Sequence, residues 1–133
     1  MRSVLIGAVL VLGFAALPAS AGALTAFVSP SKNIHCVMSG GVRCDIRHKD
    51  WNAPKPRGCQ LDWGQGLSVT RTGSRGRVVC AGDTVLGVNG RTLAYGRSVT
   101  RNRITCTSRT NGVTCRNPRG HGFRISKESY RLF

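Results

Sequence analysis

Two stretches share one pattern: Ile34-His-Cys36 leads through Ser39-Gly-Gly41 to Val42-Arg-Cys44, and Ile104-Thr-Cys106 leads through Asn111-Gly112 to Val113-Thr-Cys115. Both read I-x-C, a glycine-bearing turn, then V-x-C. Residues two apart in a strand share a face, so Ile34, Cys36, Val42 and Cys44 should point one way. Ile104, Cys106, Val113 and Cys115 should do the same. The spacing predicts two hairpins, one over a three-residue loop at 39–41, the other over a four-residue loop containing Gly112. Cys36 then faces Cys44 and Cys106 faces Cys115, close enough for disulfides. Six cysteines allow fifteen pairings. The repeat selects one, because Cys59 and Cys80 are left for each other.

The remaining chain also reads as strands. Residues 67–71 and 77–80 flank a turn at 73–76. Residues 84–88 and 91–95 flank Asn89-Gly90, the strongest short hairpin signal available. Residues 121–126 form a last strand, followed by one helical turn at 127–130. Trp51-Asn-Ala-Pro-Lys-Pro56 is an irregular crossover. No window sustains a 3.6-residue apolar period. The expectation is an all-β fold: a small disulfide-stapled barrel or sandwich of short antiparallel hairpins, with eight or nine strands.

The N-terminus carries an address. Met1-Arg2-Ser3 precedes an uninterrupted apolar run over 4–17, then Pro18 and Ala19-Ser-Ala21. That run is shorter than the roughly 20 residues a membrane-spanning helix needs. The pattern predicts a cleaved signal peptide over 1–21, a single secreted domain over 22–133, and no transmembrane segment after cleavage. The localisation expected is extracellular, with the cell envelope as a place of retention. Residues 22–133 hold only 28 large apolar side chains, so disulfides worth about 2–3.5 kcal/mol each matter to stability.

Charge bounds the chemistry. Twenty Lys and Arg stand against five Asp and Glu, a net +15. So few acids disfavour carboxylate-driven catalysis and calcium cages. No C-x-x-C occurs and no cysteine spacing suits zinc, so neither a metal nor a cofactor is expected. The basic residues spread along the whole chain. Arg91, Arg97, Arg101 and Arg103 crowd one segment, with Arg101 and Arg103 on one strand face, opposite Ile104 and Cys106. Such a face suits phosphate, teichoic or nucleic-acid oxygens. The competing account is compositional, since sixteen of the twenty cations are Arg. No aromatic side chains interleave them, and no specific nucleic-acid motif is present.

The other notable residue types have plainer roles. His35, His48 and His121, with abundant cations, are the ingredients of a metal-free phosphodiesterase, but no spacing is diagnostic. His121, between two glycines, reads as a turn residue whose ring bonds a backbone carbonyl. Ser29-Pro-Ser-Lys32 matches S-x-x-K, yet its partner motifs are absent. Asp45 and Asp83 read as structural carboxylates beside turns, and Trp51 and Trp63 as core or bridge-covering aromatics. No catalytic residue is assigned.

An ordered set of motifs adds a resemblance. Phe27-Val-Ser-Pro-Ser-Lys-Asn-Ile34, Arg43-Cys-Asp-Ile46, Trp63-Gly-Gln-Gly-Leu67, Cys80-Ala-Gly-Asp-Thr84, Leu93-Ala-Tyr-Gly96, Gly112-Val-Thr-Cys-Arg-Asn117 and Gly120-His-Gly-Phe-Arg-Ile-Ser126 resemble a family of small secreted actinobacterial proteins known only as a domain of unknown function. The resemblance implies export and a cysteine-stapled domain, and supplies no catalytic residues. Lys32 and His35 stand where that family usually has glycine, and Ala94 where it has proline, which speaks against an essential role for His35. The reading is a secreted, basic, disulfide-stabilised binding module for an anionic envelope polymer or another polyanion. The alternatives are a small metal-independent hydrolase of ribonuclease kind, or an inhibitor or toxin presenting the loop 51–57.

Overall fold

Alternating apolar side chains around the two cysteine hairpins nucleate two sheets. The computed structural model describes residues 11–16 and 25–133. Apart from 11–16, which form no regular element, the expected signal segment lies outside the described residues. No helix among the described residues is long and apolar enough to cross a membrane. The strands are β1 (Thr25–Val28), β2 (Ile34–Ser39), β3 (Gly41–Ile46), β4 (Trp63–Thr70), β5 (Arg77–Cys80), β6 (Arg91–Thr92), β7 (Ser98–Arg101), β8 (Ile104–Arg109), β9 (Gly112–Arg116), β10 (Gly122–Ile125) and β11 (Tyr130–Leu132). One sheet runs β5-β4-β3-β2-β1-β6, the other β11-β10-β9-β8-β7. Among the described residues, eleven short strands thus replace the eight or nine expected.

The two inner faces share one core. Phe27, Ile34, Met38, Ile46 and Leu67 from the first sheet pack with Ile104, Val113, Phe123 and Ile125 from the second. Of the two architectures the sequence allowed, this is a sandwich. Cys36 lies opposite Cys44, and Cys106 opposite Cys115, with Cα atoms 4.1 and 4.0 Å apart, and both pairs are disulfide-bonded. The third bridge joins Cys59 to Cys80. Each hairpin bridge closes within its own sheet, so neither ties one sheet to the other. Apart from the shared core, polar contacts do that. Asn102 Nδ2 donates to Gly40 O at 2.7 Å, and Gly76 N to Phe133 O at 3.1 Å. Trp51 Nε1, from the crossover after β3, donates to Ser126 O at 2.8 Å.

Several connections differ from the sequence reading. The first hairpin turns on Gly40 alone, at φ 71°, because Ser39 and Gly41 already pair. The second turns on Thr110 and Asn111, between paired Arg109 and Gly112. No hairpin forms across Asn89-Gly90. Thr84 Oγ1 and Val85 N are held by the Asp45 carboxylate at 2.9 and 3.0 Å, which curls 84–88 into turns. Gly90 lies against the backbone of β1, where a Cβ would come within 2.7 Å of the Ala26 carbonyl carbon. Residues Arg91–Thr92 therefore add to β1 in parallel, and Leu93 N donates to Val28 O at 2.9 Å. Nor does a helical turn follow β10. The Ser126 hydroxyl accepts from Ser129 N and donates to Ser129 O, closing a turn that returns Tyr130 along β10 as β11.

Arg101 and Arg103 do not share a strand. Asn102 and Arg103 form a two-residue turn with φ values of 49° and 64°, so Arg101 pairs with Ile104. Two successive positive φ angles match the hairpin turn whose twist suits its strands, and Asn tolerates the first of them well.

Candidate functional site

Two grooves collect the polar side chains of greatest chemical interest. The first, of about 550 Å³, lies where the β1–β2 turn, the chain leaving β3, the β8–β9 hairpin tip and the chain leaving β10 meet. It is lined by Lys32, Arg47, His48, Arg109, Lys127 and Glu128, among others. Local sequence fixes this arrangement. Asn33 Oδ1 accepts from His48 N at 2.8 Å, while Asn33 Nδ2 donates to His48 O at 2.9 Å. Arg47 N donates to Asn33 O, and Asp50 N to Lys127 O, which draws the crossover toward the turn after β10. The buried Ser29 hydroxyl accepts from Ile34 N and bonds Ser31 Oγ.

Lys32 stands at φ 61°, a conformation glycine adopts freely and a side chain adopts at a cost of order 1–3 kcal/mol. Its ammonium donates to the Thr92 hydroxyl, linking the turn to β6. The Ser29 hydroxyl and the Lys32 ammonium therefore bond different partners, and Lys32 meets Ser29 only through its backbone N–H, which donates to Ser29 O at 2.9 Å. Among the described residues, the salt bridges are Arg43 to Asp45 and Arg43 to Asp83. Lys32, Arg47, Arg109 and Lys127 thus line the groove with no carboxylate in ion-pair contact, although Glu128 shares the wall.

The second groove, of about 600 Å³, is built over β4 and the loop after β5. Asp62, Trp63, Gln65, Gly82, Asp83 and Thr84 line it, with Arg43 beneath. The Asp45 carboxylate is fully buried and takes four hydrogen bonds: Arg43 Nε (2.9 Å) and Nη2 (2.8 Å), Thr84 Oγ1 and Val85 N. Arg43 also donates to Asp83 Oδ1 at 2.8 Å and Asp83 O at 2.9 Å. The hydrogen bond to Asp45, then that to Asp83, raises Arg43 above its ordinary pKa against the opposing effect of burial. The exposed Asp83 carboxyl is lowered, chiefly by its hydrogen bond to Arg43 and then by the guanidinium charge. Both aspartates are structural, but their partners are Arg43 and, for Asp45, groups about forty residues away rather than nearby backbone amides. Gly66 is required here: a Cβ would overlap Asp45 Oδ1 and come within 2.7 Å of Cys44 O.

The arginines singled out from sequence are not gathered in either groove. Arg91 sits on β6 in the first sheet, Arg97 precedes β7, Arg101 ends it, and Arg103 occupies the following turn. The histidines are also dispersed. His35 accepts from Gly87 N through Nδ1 and bonds Lys32 O through Nε2, both at 3.2 Å, which places its proton on Nε2. His48 lines the first groove, and His121 lies between β9 and β10. Among the described residues, the His121 ring does not make the expected hydrogen bond to a backbone carbonyl. Its backbone makes hydrogen bonds instead: His121 N donates to Asn117 Oδ1, and His121 O accepts from Asn117 N. Asn117, buried, is the true anchor, since its Nδ2 also reaches Thr70 O and Gly73 O across the sheets. Trp63 is not a core aromatic but is 45 % exposed, whereas Trp51 is half-buried against Tyr130 at 4.5 Å between centroids.

Arg47, Arg109 and Lys127 escaped the sequence reading because each stands alone beside a turn. The available signal was that all three flank strand ends, where side chains from separate connections can converge. The architecture defines a small disulfide-stabilised all-β domain. The model of DUF6636, a family of unknown function, matches residues 5–133, and the chain belongs to that family. No curated protein and no solved structure matches it.

Proposed function

We propose that this protein is an exported binding module whose first groove holds the anionic groups of a polymer, such as a phosphate-bearing chain of the cell envelope. The observation that carries this is the convergence of Lys32, Arg47, Arg109 and Lys127 on one groove without a salt bridge. Cations from four separate connections, left without carboxylate partners, present a concave positive surface to oxyanions. At Lys32 the unfavourable backbone angle places an ammonium on the groove wall. Three disulfides support export to an oxidising compartment.

The test is titration with inorganic polyphosphate and with a soluble polyglycerol phosphate at several salt concentrations. Arg47→Gln with Arg109→Gln should weaken binding by about tenfold or more and flatten the salt dependence by roughly one unit per lost contact. Arg101→Gln with Arg103→Gln removes the same charge outside the groove and should cost much less. Equal losses would show that only net charge acts, and the groove would not be the site.

A further inference from the structure

The second groove has the opposite character from the first, and we infer that it is a saccharide site, in which Trp63 stacks on a neutral sugar ring while Asp62 accepts hydrogen bonds from its hydroxyls. The protein has two tryptophans, and they are treated differently. Trp51 packs on Tyr130 and commits its indole N–H to Ser126 O. Trp63 leaves 45 % of its surface exposed on the groove wall, and its indole N–H has no hydrogen-bond partner among the described residues. An indole is a large apolar plate with one polar edge, suited to a ligand that has both an apolar face and hydroxyl groups.

The backbone is shaped to present it. Trp63 pairs with Cys80 and Leu67 with Val78, so the β4 segment has four steps where β5 has two, and the register shifts between them. Gly64, at φ 85°, lies within this bulge. Bulges bend a strand and re-aim side chains, and they concentrate beside binding sites.

Charge decides the ligand class. Five acidic residues exist in the whole chain, yet Asp62 and Asp83 line this groove and Asp45 is buried beneath it. The single guanidinium here, Arg43, is committed to Asp45 and Asp83. Asp62, in contrast, has no side-chain hydrogen bond among the described residues. An ionised carboxylate only accepts, so its natural partners are donors such as vicinal hydroxyls. The Lys55 ammonium lies 5.4 Å from the centroid of the Trp63 ring, and a stacked sugar would displace it. Gln65 adds a further acceptor: its amide nitrogen donates to Ile46 O, which leaves the side-chain carbonyl for a ligand.

Because the full chain has one other tryptophan, a Trp51→Phe variant makes emission report on Trp63 alone. That variant is titrated with chitohexaose, cellohexaose, maltohexaose and mannohexaose. The expected result is a saturable change in Trp63 emission with at least one of them, insensitive to salt. Calorimetry should show Asp62→Asn weakening that binding about tenfold and Trp63→Ala abolishing it, with Trp63→Phe retaining part of it. Arg47→Gln with Arg109→Gln should leave it unchanged, which separates this site from the anionic one. Circular dichroism checks that each variant folds. If no hexasaccharide binds at concentrations on the order of 10 mM, or if binding persists in a folded Trp63→Ala protein, the assignment is overturned.

Discussion

The two grooves are built from similar materials and use them in opposite ways. In the second, the charged groups are largely committed to one another: Asp45, Asp83 and Arg43 form a closed knot that holds the 82–85 loop on β3. In the first, the hydrogen bonds that set the walls come from Asn33, Ser29 and backbone amides, and, apart from the Lys32 ammonium on the Thr92 hydroxyl, the cations are left over. Neutral groups shape the first groove, so its charge is available to a ligand. Charged groups shape the second, so what it offers is an indole and one carboxylate.

That contrast breaks most visibly at Asp45. Asp45→Ala takes from Arg43 its buried partner, leaving only exposed Asp83, and frees Thr84 and Val85, so it should destabilise by about 3–5 kcal/mol, read from the urea midpoint. Glu128→Ala, at the wall of the first groove, should stay within about 0.5 kcal/mol. A similar loss at both positions would erase the distinction between a structural charge and an available one.

The bridge beside the second groove comes next. Cys80 is exposed, whereas the four hairpin cysteines are at most 1 % exposed. Limited reduction should open Cys59–Cys80 first, as non-reducing peptide mapping would show. A Cys59→Ala, Cys80→Ala protein should lose about 3 kcal/mol and loosen the second groove, while polyphosphate binding at the first is kept.

A smaller effect separates Asn117 from His121. Asn117→Ala removes four hydrogen bonds at a buried site and should cost about 1–3 kcal/mol. His121→Ala keeps the backbone bonds and should cost less than about 0.5 kcal/mol. Thermal unfolding of the two variants side by side decides it.

The smallest effect is on pH. Arg43 lowers Asp83 in the folded state from its ordinary 3.8. The pair's contribution is therefore complete above that value and is lost as pH falls through the lowered one. Asp83→Asn should lower neutral stability slightly, leave acid stability the same, and so flatten the acid limb of the melting profile below about pH 4.

What could be read in the sequence was what depends on local periodicity. The I-x-C and V-x-C alternation places Cys36 and Cys44 on one face, so the hairpins and pairings followed. Asn102-Arg103 was misread because alternating arginines imitate a strand, although Asn is a good residue for positive φ. Asn89-Gly90 has strong turn chemistry, yet the Asp45 carboxylate holds Thr84 and Val85 from forty residues away in sequence, and no local signal carries that. The first groove was invisible for the same reason. Lys32, Arg47, Arg109 and Lys127 become neighbours only when the sheets pack.

The order of the bridges has a consequence for how the chain matures. Cys36 joins Cys44, Cys59 joins Cys80, and Cys106 joins Cys115, at separations of 8, 21 and 9 residues. A polypeptide emerging N-terminus first into an oxidising medium meets, after each odd cysteine, its native partner as the next thiol to appear. Oxidation in order of appearance therefore yields the native set out of fifteen. Each loop is also short enough to close quickly. Such a chain can reach its covalent framework without disulfide exchange, and the sheets need only dock around bridges already made.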